Sequence, residues 1–107
     1  MSEYTLNAYQ NDALQFRVAG GALPLYPVLN LPGEVGELMS LMAKAVRDGK
    51  QLDYDQNVKK ELGDILWMVA AIAIDHGFTL EDVAATNVYK LTDRAKRNML
   101  QGSGDNR

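Results

Sequence analysis

A run of ten apolar residues, ILWMVAAIAI at positions 65–74, constrains the fold more than any other stretch of the chain. Such a helix would be apolar on nearly every side, so other helices or a partner subunit must cover it. The run is too short to cross a bilayer. It belongs to a chain of 107 residues, a length typical of one domain. We therefore expect it to form the central helix of a small all-α protein.

Four segments carry helical spacing or helix-boundary signals, and no stretch alternates long enough with the period of two that indicates a strand. The predicted helices span residues 4–18, 28–47, 55–76 and 79–99. The sequence thus predicts an all-α, four-helix bundle-like fold. Residues 1–100 form a single predicted domain, and residues 101–107 a flexible C-terminal tail.

Glycine, proline and capping residues separate these helices. The segment 20–27, GGALPLYP, contains two glycines and two prolines and is expected to break the chain between the first two helices. Gly49 and Gly77 suit the left-handed positions that end the second and third. Thr79 and Asp82 resemble a capping box, with Asp in place of Glu, that opens the fourth.

The composition excludes several classes of protein and of site. The chain has no cysteine, which rules out disulfides, zinc–thiolate sites and cysteine nucleophiles. A net charge of −3 argues against general binding to a nucleic-acid backbone. The first ten residues lack the basic and apolar regions of a signal peptide. We expect a cytoplasmic protein with no membrane or nucleic-acid partner, and its small size favours oligomerisation.

Four acidic residues interrupt the second and third predicted helices in a repeated pattern. GEVGEL at 33–38 places Glu34 and Glu37 three residues apart, and KELGDIL at 60–66 repeats this spacing with Glu61 and Asp64. At 100° per residue, the acids of a pair lie roughly 60° apart, with an apolar residue between them. Both pairs therefore occupy an edge of the apolar stripe. One such pair is usually a solvated face, whereas two pairs on matching edges favour a shared site.

Two antiparallel helices would bring the four carboxylates together. Their mutual repulsion would leave some of them protonated, and a divalent cation would remove it. Hard oxygen donors favour Mg²⁺, with Mn²⁺ as a substitute, over zinc or copper. A di-iron bundle requires Glu-x-x-His motifs, and the only histidine, His76, does not follow a glutamate at that spacing. The residues thus predict a magnesium site.

The fourth predicted helix carries a polar strip beside its apolar face. Asn87, Lys90 and Arg94 fall within roughly 60° of one another. Arginine can bind two phosphate oxygens at once and lysine supplies a point charge, so the strip suits a polyphosphate. Basic residues also complement the dipole at a helix C-terminus, an explanation that fits Lys96 and Arg97 better than the mid-helix Lys90.

Other positions leave two interpretations open. Lys44 lies on the Glu37 side of its helix and either contacts a phosphate or pairs with a neighbouring acid. Tyr9, Gln10 and Asn11 either line a base pocket or pack the first helix against others, and packing is favoured. Trp67 points away from the acids, which favours the core over base stacking.

These segments together resemble the MazG-like family of nucleoside triphosphate pyrophosphohydrolases, within the all-α pyrophosphatase superfamily. The resemblance covers residues 8–95 and rests on LNLPGEVGEL, ELGDILWMVAAIA and GFTLEDVAATNVYKLTDR. It implies an all-α fold that assembles as homodimers or homotetramers. It also implies Mg²⁺-dependent hydrolysis of an NTP or dNTP between the α- and β-phosphates, giving a nucleoside monophosphate and pyrophosphate.

Residue by residue, the resemblance implies that the four acids bind the metal and that Asn87, Lys90 and Arg94 face the phosphates. Glu34 or Glu37 would also orient the attacking water or take its proton. Relatives often carry an Arg-Thr pair where this chain has Gln15 and Phe16. The base-binding residues therefore stay unassigned.

Two other functions are weighed against this one. A phosphoribosyl-ATP pyrophosphohydrolase fits less well, because Trp67 occupies a position near an expected histidine. A non-catalytic helical module that binds nucleotide or protein and regulates is disfavoured by the presence of all four acids.

Overall fold

The computed structural model describes residues 4–18 and 25–107. It contains four helices, α1 (Leu6–Leu14), α2 (Leu25–Asp48), α3 (Tyr54–Asp75) and α4 (Leu80–Lys96). No strand occurs in the described ranges, so the predicted all-α fold is confirmed. α3 packs against each of the other three helices, the central place that its apolar run predicts. The division into residues 1–100 and a tail stays a prediction.

Threonine caps and a tolerated proline set the helix starts. Thr5 and Thr79 precede α1 and α4, and each side chain accepts a hydrogen bond from the backbone N–H three residues later, at 3.0 and 3.1 Å. α2 begins at Leu25, earlier than the predicted residue 28. Pro27 lies in its first turn, where the backbone N–H has no helical partner, so proline is tolerated. The rest of the predicted break, residues 20–24, lies outside the described residues.

Left-handed residues follow the last three helices. Gly49 and Gly77 have φ of 89° and 79°, as predicted, and Asn98 follows α4 with φ of 57°. After α3 and α4, backbone N–H groups bond to carbonyls three and five residues back at 2.6–3.1 Å, the Schellman pattern. Because Asn98 reverses the chain, α4 ends at Lys96 and not at the predicted residue 99. α1 also ends early, at Leu14.

Hydrogen bonds and an ion pair fix α1 to the rest of the fold. Gln10 donates to a backbone carbonyl of α3 and accepts from the first backbone N–H of α4, both at 3.1 Å. Trp67 Nε1 donates to the Ala13 carbonyl at 2.9 Å. Arg17 makes two bonds of 2.9 and 2.8 Å to Asp75. Gln10 and Trp67 therefore serve helix packing.

The apolar core within one chain is small. Its buried members come mainly from α3, with one leucine each from α2 and α4: Met68, Ala70, Ala71, Ala73, Leu38 and Leu80. Several large apolar residues of α2 and α4 stay exposed, among them Leu29 at 73%, Val46 at 89% and Tyr89 at 75%. The chain exposes 8080 Å², whereas a compact monomer of 11.8 kDa exposes about 5,900 Å². The fold leaves apolar surface that it does not cover by itself.

Within residues 4–18 and 25–107, no single helix combines the length and apolar character needed to cross a membrane. α3 and α4 meet the criterion only as a pair, joined across a bend of 98°.

Candidate active site

The packing of α2 against α3 brings the four acids together. Glu34 and Glu37 lie on α2, and Glu61 and Asp64 lie on α3. Each offers a carboxylate oxygen, and these atoms all lie within 4.8 Å of one another. The matching helix edges read from the sequence predict this convergence. We call these four residues the acidic cluster.

Half of the acidic cluster is partly buried and incompletely hydrogen-bonded. Glu34 and Glu61 are partly buried, whereas Glu37 and Asp64 are exposed. The Oε2 atoms of Glu34 and Glu61 are buried and have no hydrogen-bond partner among the described residues. A buried carboxylate oxygen without a partner is costly, because it gives up water without gaining another donor. The cluster therefore has the carboxylate ligands of a cation site, and two of its buried oxygens have no other partner among the described residues.

The pKa values of the two partly buried glutamates are raised, as expected when burial leaves one carboxylate oxygen of each without a hydrogen-bond donor among the described residues. Burial raises the pKa of Glu34, and the negative charges of Glu37 and Asp64 raise it further. Burial likewise raises the pKa of Glu61, ahead of the charges of Glu37 and Asp64. Burial also raises the pKa of Tyr9, and the charge of Asp64 adds to this. Tyr9 of α1 is thus influenced by the charge of one member of the cluster.

Asn30 is a neighbour of the cluster that the sequence analysis did not single out. Its Nδ2 donates to Glu34 Oε1 at 3.2 Å and lies 3.9 Å from Met68 Sδ. The signal that could have found it is its position four residues before Glu34, which places the two side chains on the same helix face.

The polar strip of α4 is occupied by the chain's own C-terminal segment. Arg94 is only 7% exposed, and its Nη2 donates to the Asp105 carbonyl at 2.8 Å. The Asp105 carboxylate lies 3.4 Å from Lys90 Nζ and 3.5 Å from Arg94 Nη2. These contacts, with Lys90 first, lower the pKa of Asp105. The strip therefore already binds a carboxylate. These contacts do not test the predicted flexibility of residues 101–107.

Asn87 and Lys90 also line a cavity of about 350 Å³ with Phe78, Asp82, Val83 and Thr86. Lys44 lies elsewhere. It lines a cavity of about 250 Å³ where α2 connects to α3, beside Tyr54 and Asn57. Within the described part of the chain, the backbones of α4 and α2 do not approach each other closely. One chain thus assembles the acids, while the phosphate-binding roles of Lys44 and the α4 strip stay predictions.

Comparison with known proteins points to one family. The sequence profile of the MazG nucleotide pyrophosphohydrolase domain matches residues 26–99, a range that includes all four acids and the α4 strip. The chain is 38% identical to the Gene 37 protein of Mycobacterium phage L5 over 85 residues, covering 77% of this chain and 75% of that relative. The name of that relative states no activity. No solved structure matches the chain at a significant level.

Proposed function

Because the chain belongs to the MazG nucleotide pyrophosphohydrolase family, we propose that it hydrolyses nucleoside triphosphates between the α- and β-phosphates with Mg²⁺ or Mn²⁺. The products would be a nucleoside monophosphate and pyrophosphate, from an NTP or a dNTP. One observation carries the proposal: four carboxylates converge within 4.8 Å, and two of their oxygens are buried without a hydrogen-bond partner among the described residues.

The residues present fit a hard divalent cation. All four donors are carboxylate oxygens, the ligands that Mg²⁺ and Mn²⁺ prefer. Glu34, Glu37, Glu61 and Asp64 would hold the ion, whose charge would offset their repulsion and satisfy the two buried oxygens. The chemistry that such an ion supplies when bound is neutralisation of phosphate charge and a lowered pKa for water.

The proton of the attacking water requires an acceptor. The water oxygen forms a bond to phosphorus as the bond between that phosphorus and the bridging oxygen breaks. Glu34 or Glu37 would accept the proton.

The departing pyrophosphate requires positive charge. Lys90 and Arg94 are already arranged around one carboxylate, that of Asp105, and phosphate oxygens would take its place. Asn87, on the cavity that Lys90 also lines, would donate its amide hydrogens. Lys44, in the last turns of α2, would contact phosphate as a further cation.

A second copy of the chain would complete the structure as a homodimer or homotetramer. The chain exposes 8080 Å², whereas a compact monomer of its mass exposes about 5,900 Å², so the excess is roughly 2,000 Å². A stable interface removes about 800 Å² from each partner, so this excess is sufficient. A mass of 11.8 kDa in analytical ultracentrifugation across the micromolar range would contradict the assembly.

A product screen tests the proposed activity. Canonical, deoxy and modified triphosphates, together with phosphoribosyl-ATP, would be incubated with Mg²⁺, Mn²⁺ or EDTA, and the products separated. We expect monophosphate and pyrophosphate in equal amounts, and none with EDTA. Diphosphate and inorganic phosphate would contradict the bond assigned. Binding without Mg²⁺ of a nucleotide that stays intact would instead identify a non-catalytic module.

A further inference from the structure

Asn30 is bound between the two helices that form the acidic cluster. Its Nδ2 donates to Glu34 Oε1 at 3.2 Å, and the same nitrogen lies 3.9 Å from the sulfur of Met68. Met68 belongs to α3 and is 7% exposed. The amide therefore touches both sides of the helix pair and holds one oxygen of Glu34, while the other oxygen, Oε2, is buried without a partner among the described residues.

The equivalent position on α3 behaves differently. Asn57 precedes Glu61 by four residues, as Asn30 precedes Glu34. Among the described residues, Asn57 makes no hydrogen bond to Glu61; it lines the cavity beside Lys44 and Tyr54. The chain therefore contains two asparagines at the same spacing from a cluster glutamate, and among the described residues only Asn30 forms a hydrogen bond to its glutamate. The difference supplies a matched control.

We propose that Asn30 is a positioning residue, which holds the Glu34 carboxylate by Oε1 and so leaves Oε2 for a divalent cation. The inference rests on the proposed metal site. A glutamate side chain on a helix has several rotamers, and most of them would not present the same oxygen. A fixed hydrogen bond to the other oxygen selects among them before the ion arrives. Losing such a partner commonly weakens metal binding about 10- to 100-fold.

Titration calorimetry with Mn²⁺ alone, without nucleotide, tests the role. Asn30→Leu keeps a branched side chain of similar shape and removes the donor. We expect it to weaken Mn²⁺ binding at least about 10-fold. Asn57→Leu, the matched control, should bind within about twofold of wild type. Asn30→Gln keeps an amide within reach of a residue four positions on, and we expect it to restore most of the affinity.

The outcomes separate this inference from the metal site itself. If wild type binds Mn²⁺ and Asn30→Leu binds it within twofold, the positioning role is wrong and the site stands. If wild type binds no Mn²⁺, the metal site and this role are both wrong. Unchanged thermal unfolding of the metal-free variant would show that the loss is not general destabilisation. Should leucine prevent folding, Asn30→Ala removes the donor with less bulk against Met68, and wild-type affinity there would equally overturn the proposal.

Discussion

Gln10 is the residue whose substitution should damage the fold most for the smallest change in shape. The side chain is 4% exposed. Its Nε2 donates to the carbonyls of Ala70 at 3.1 Å and Phe78 at 3.3 Å, and its Oε1 accepts from Leu80 N at 3.1 Å. One amide thus joins α1 to α3, to the turn that follows α3 and to the start of α4. Gln10→Leu fills nearly the same space and can make none of these bonds.

The magnitude follows from the bonds removed. Leu80 N is the first backbone N–H of α4 and has no partner within its own helix, so leaving it buried and unpaired costs about 1–3 kcal/mol. The two bonds from Nε2 contribute about 1 kcal/mol each. The added apolar burial of leucine offsets part of this, and we expect a net loss of about 3 kcal/mol. For 107 residues, that loss corresponds to a fall in Tm of roughly 13 °C.

Urea unfolding at fixed protein concentration, followed by fluorescence, measures the effect. Trp67 is the only tryptophan and donates to the Ala13 carbonyl of α1, so its emission reports the docking of α1 on α3. Gln15→Leu, the same substitution at an exposed position of the same segment, should change stability by less than about 0.5 kcal/mol. A loss below about 1 kcal/mol for Gln10→Leu would refute the argument that Gln10 is structural. It would also reopen its use as a base contact.

Three further predictions concern charge. Burial and the charges of its acidic neighbours raise the pKa of Glu34, so the ionised side chain is unfavourable in the metal-free protein. By differential scanning fluorimetry we expect Glu34→Gln to have a higher Tm than wild type without metal, and a smaller rise in Tm when Mg²⁺ is added. Arg17 lowers the pKa of Asp75 below its ordinary 3.8, and the paired side chains are 12% and 13% exposed. Asp75→Asn should therefore cost about 2 kcal/mol at neutral pH. The difference should shrink steadily as pH falls below 3.8 toward that lowered pKa; a difference that stays constant as pH falls below 3.8 would contradict the pairing. Asp105→Asn should tighten pyrophosphate binding about two- to fivefold in calorimetry, because the carboxylate that competes at Lys90 is removed, and unchanged binding would show that it does not compete.

The sequence predicts those features that depend on helical period and on local caps. The apolar run at 65–74 predicts a central helix because no solvated face remains, and α3 takes that place. The acids converge because each pair lies at the edge of its apolar stripe, so packing the stripes together brings the pairs together. Left-handed glycines predict the ends of α2 and α3, since only a residue without a side chain enters that region freely.

The features that the sequence analysis missed depend on distant contacts or on exceptions to local rules. Proline usually ends a helix, but Pro27 falls in a first turn, so α2 begins earlier than predicted. The contacts of Asp105 depend on the left-handed backbone at Asn98, which changes the direction of the chain after α4. Asp105 therefore meets Lys90 and Arg94, residues to which it has no helical spacing. The three partners of Gln10 come from elements far along the chain. Periodicity places residues on a face, whereas such contacts depend on the complete fold.

The most direct test of the central claim compares two acids of α3. Glu61 belongs to the acidic cluster, whereas Asp55 lies in the first turn of the same helix, outside that cluster. Initial rates of pyrophosphate release with Mg²⁺ would be measured for Glu61→Gln, Asp55→Asn and wild type, each shown to be folded by circular dichroism. Glu61→Gln removes one of the four ligands proposed for the ion and should lose at least about 100-fold in rate, and Asp55→Asn should keep the wild-type rate. Undiminished pyrophosphate release by a folded Glu61→Gln variant would contradict the assignment of the acidic cluster as the catalytic metal site.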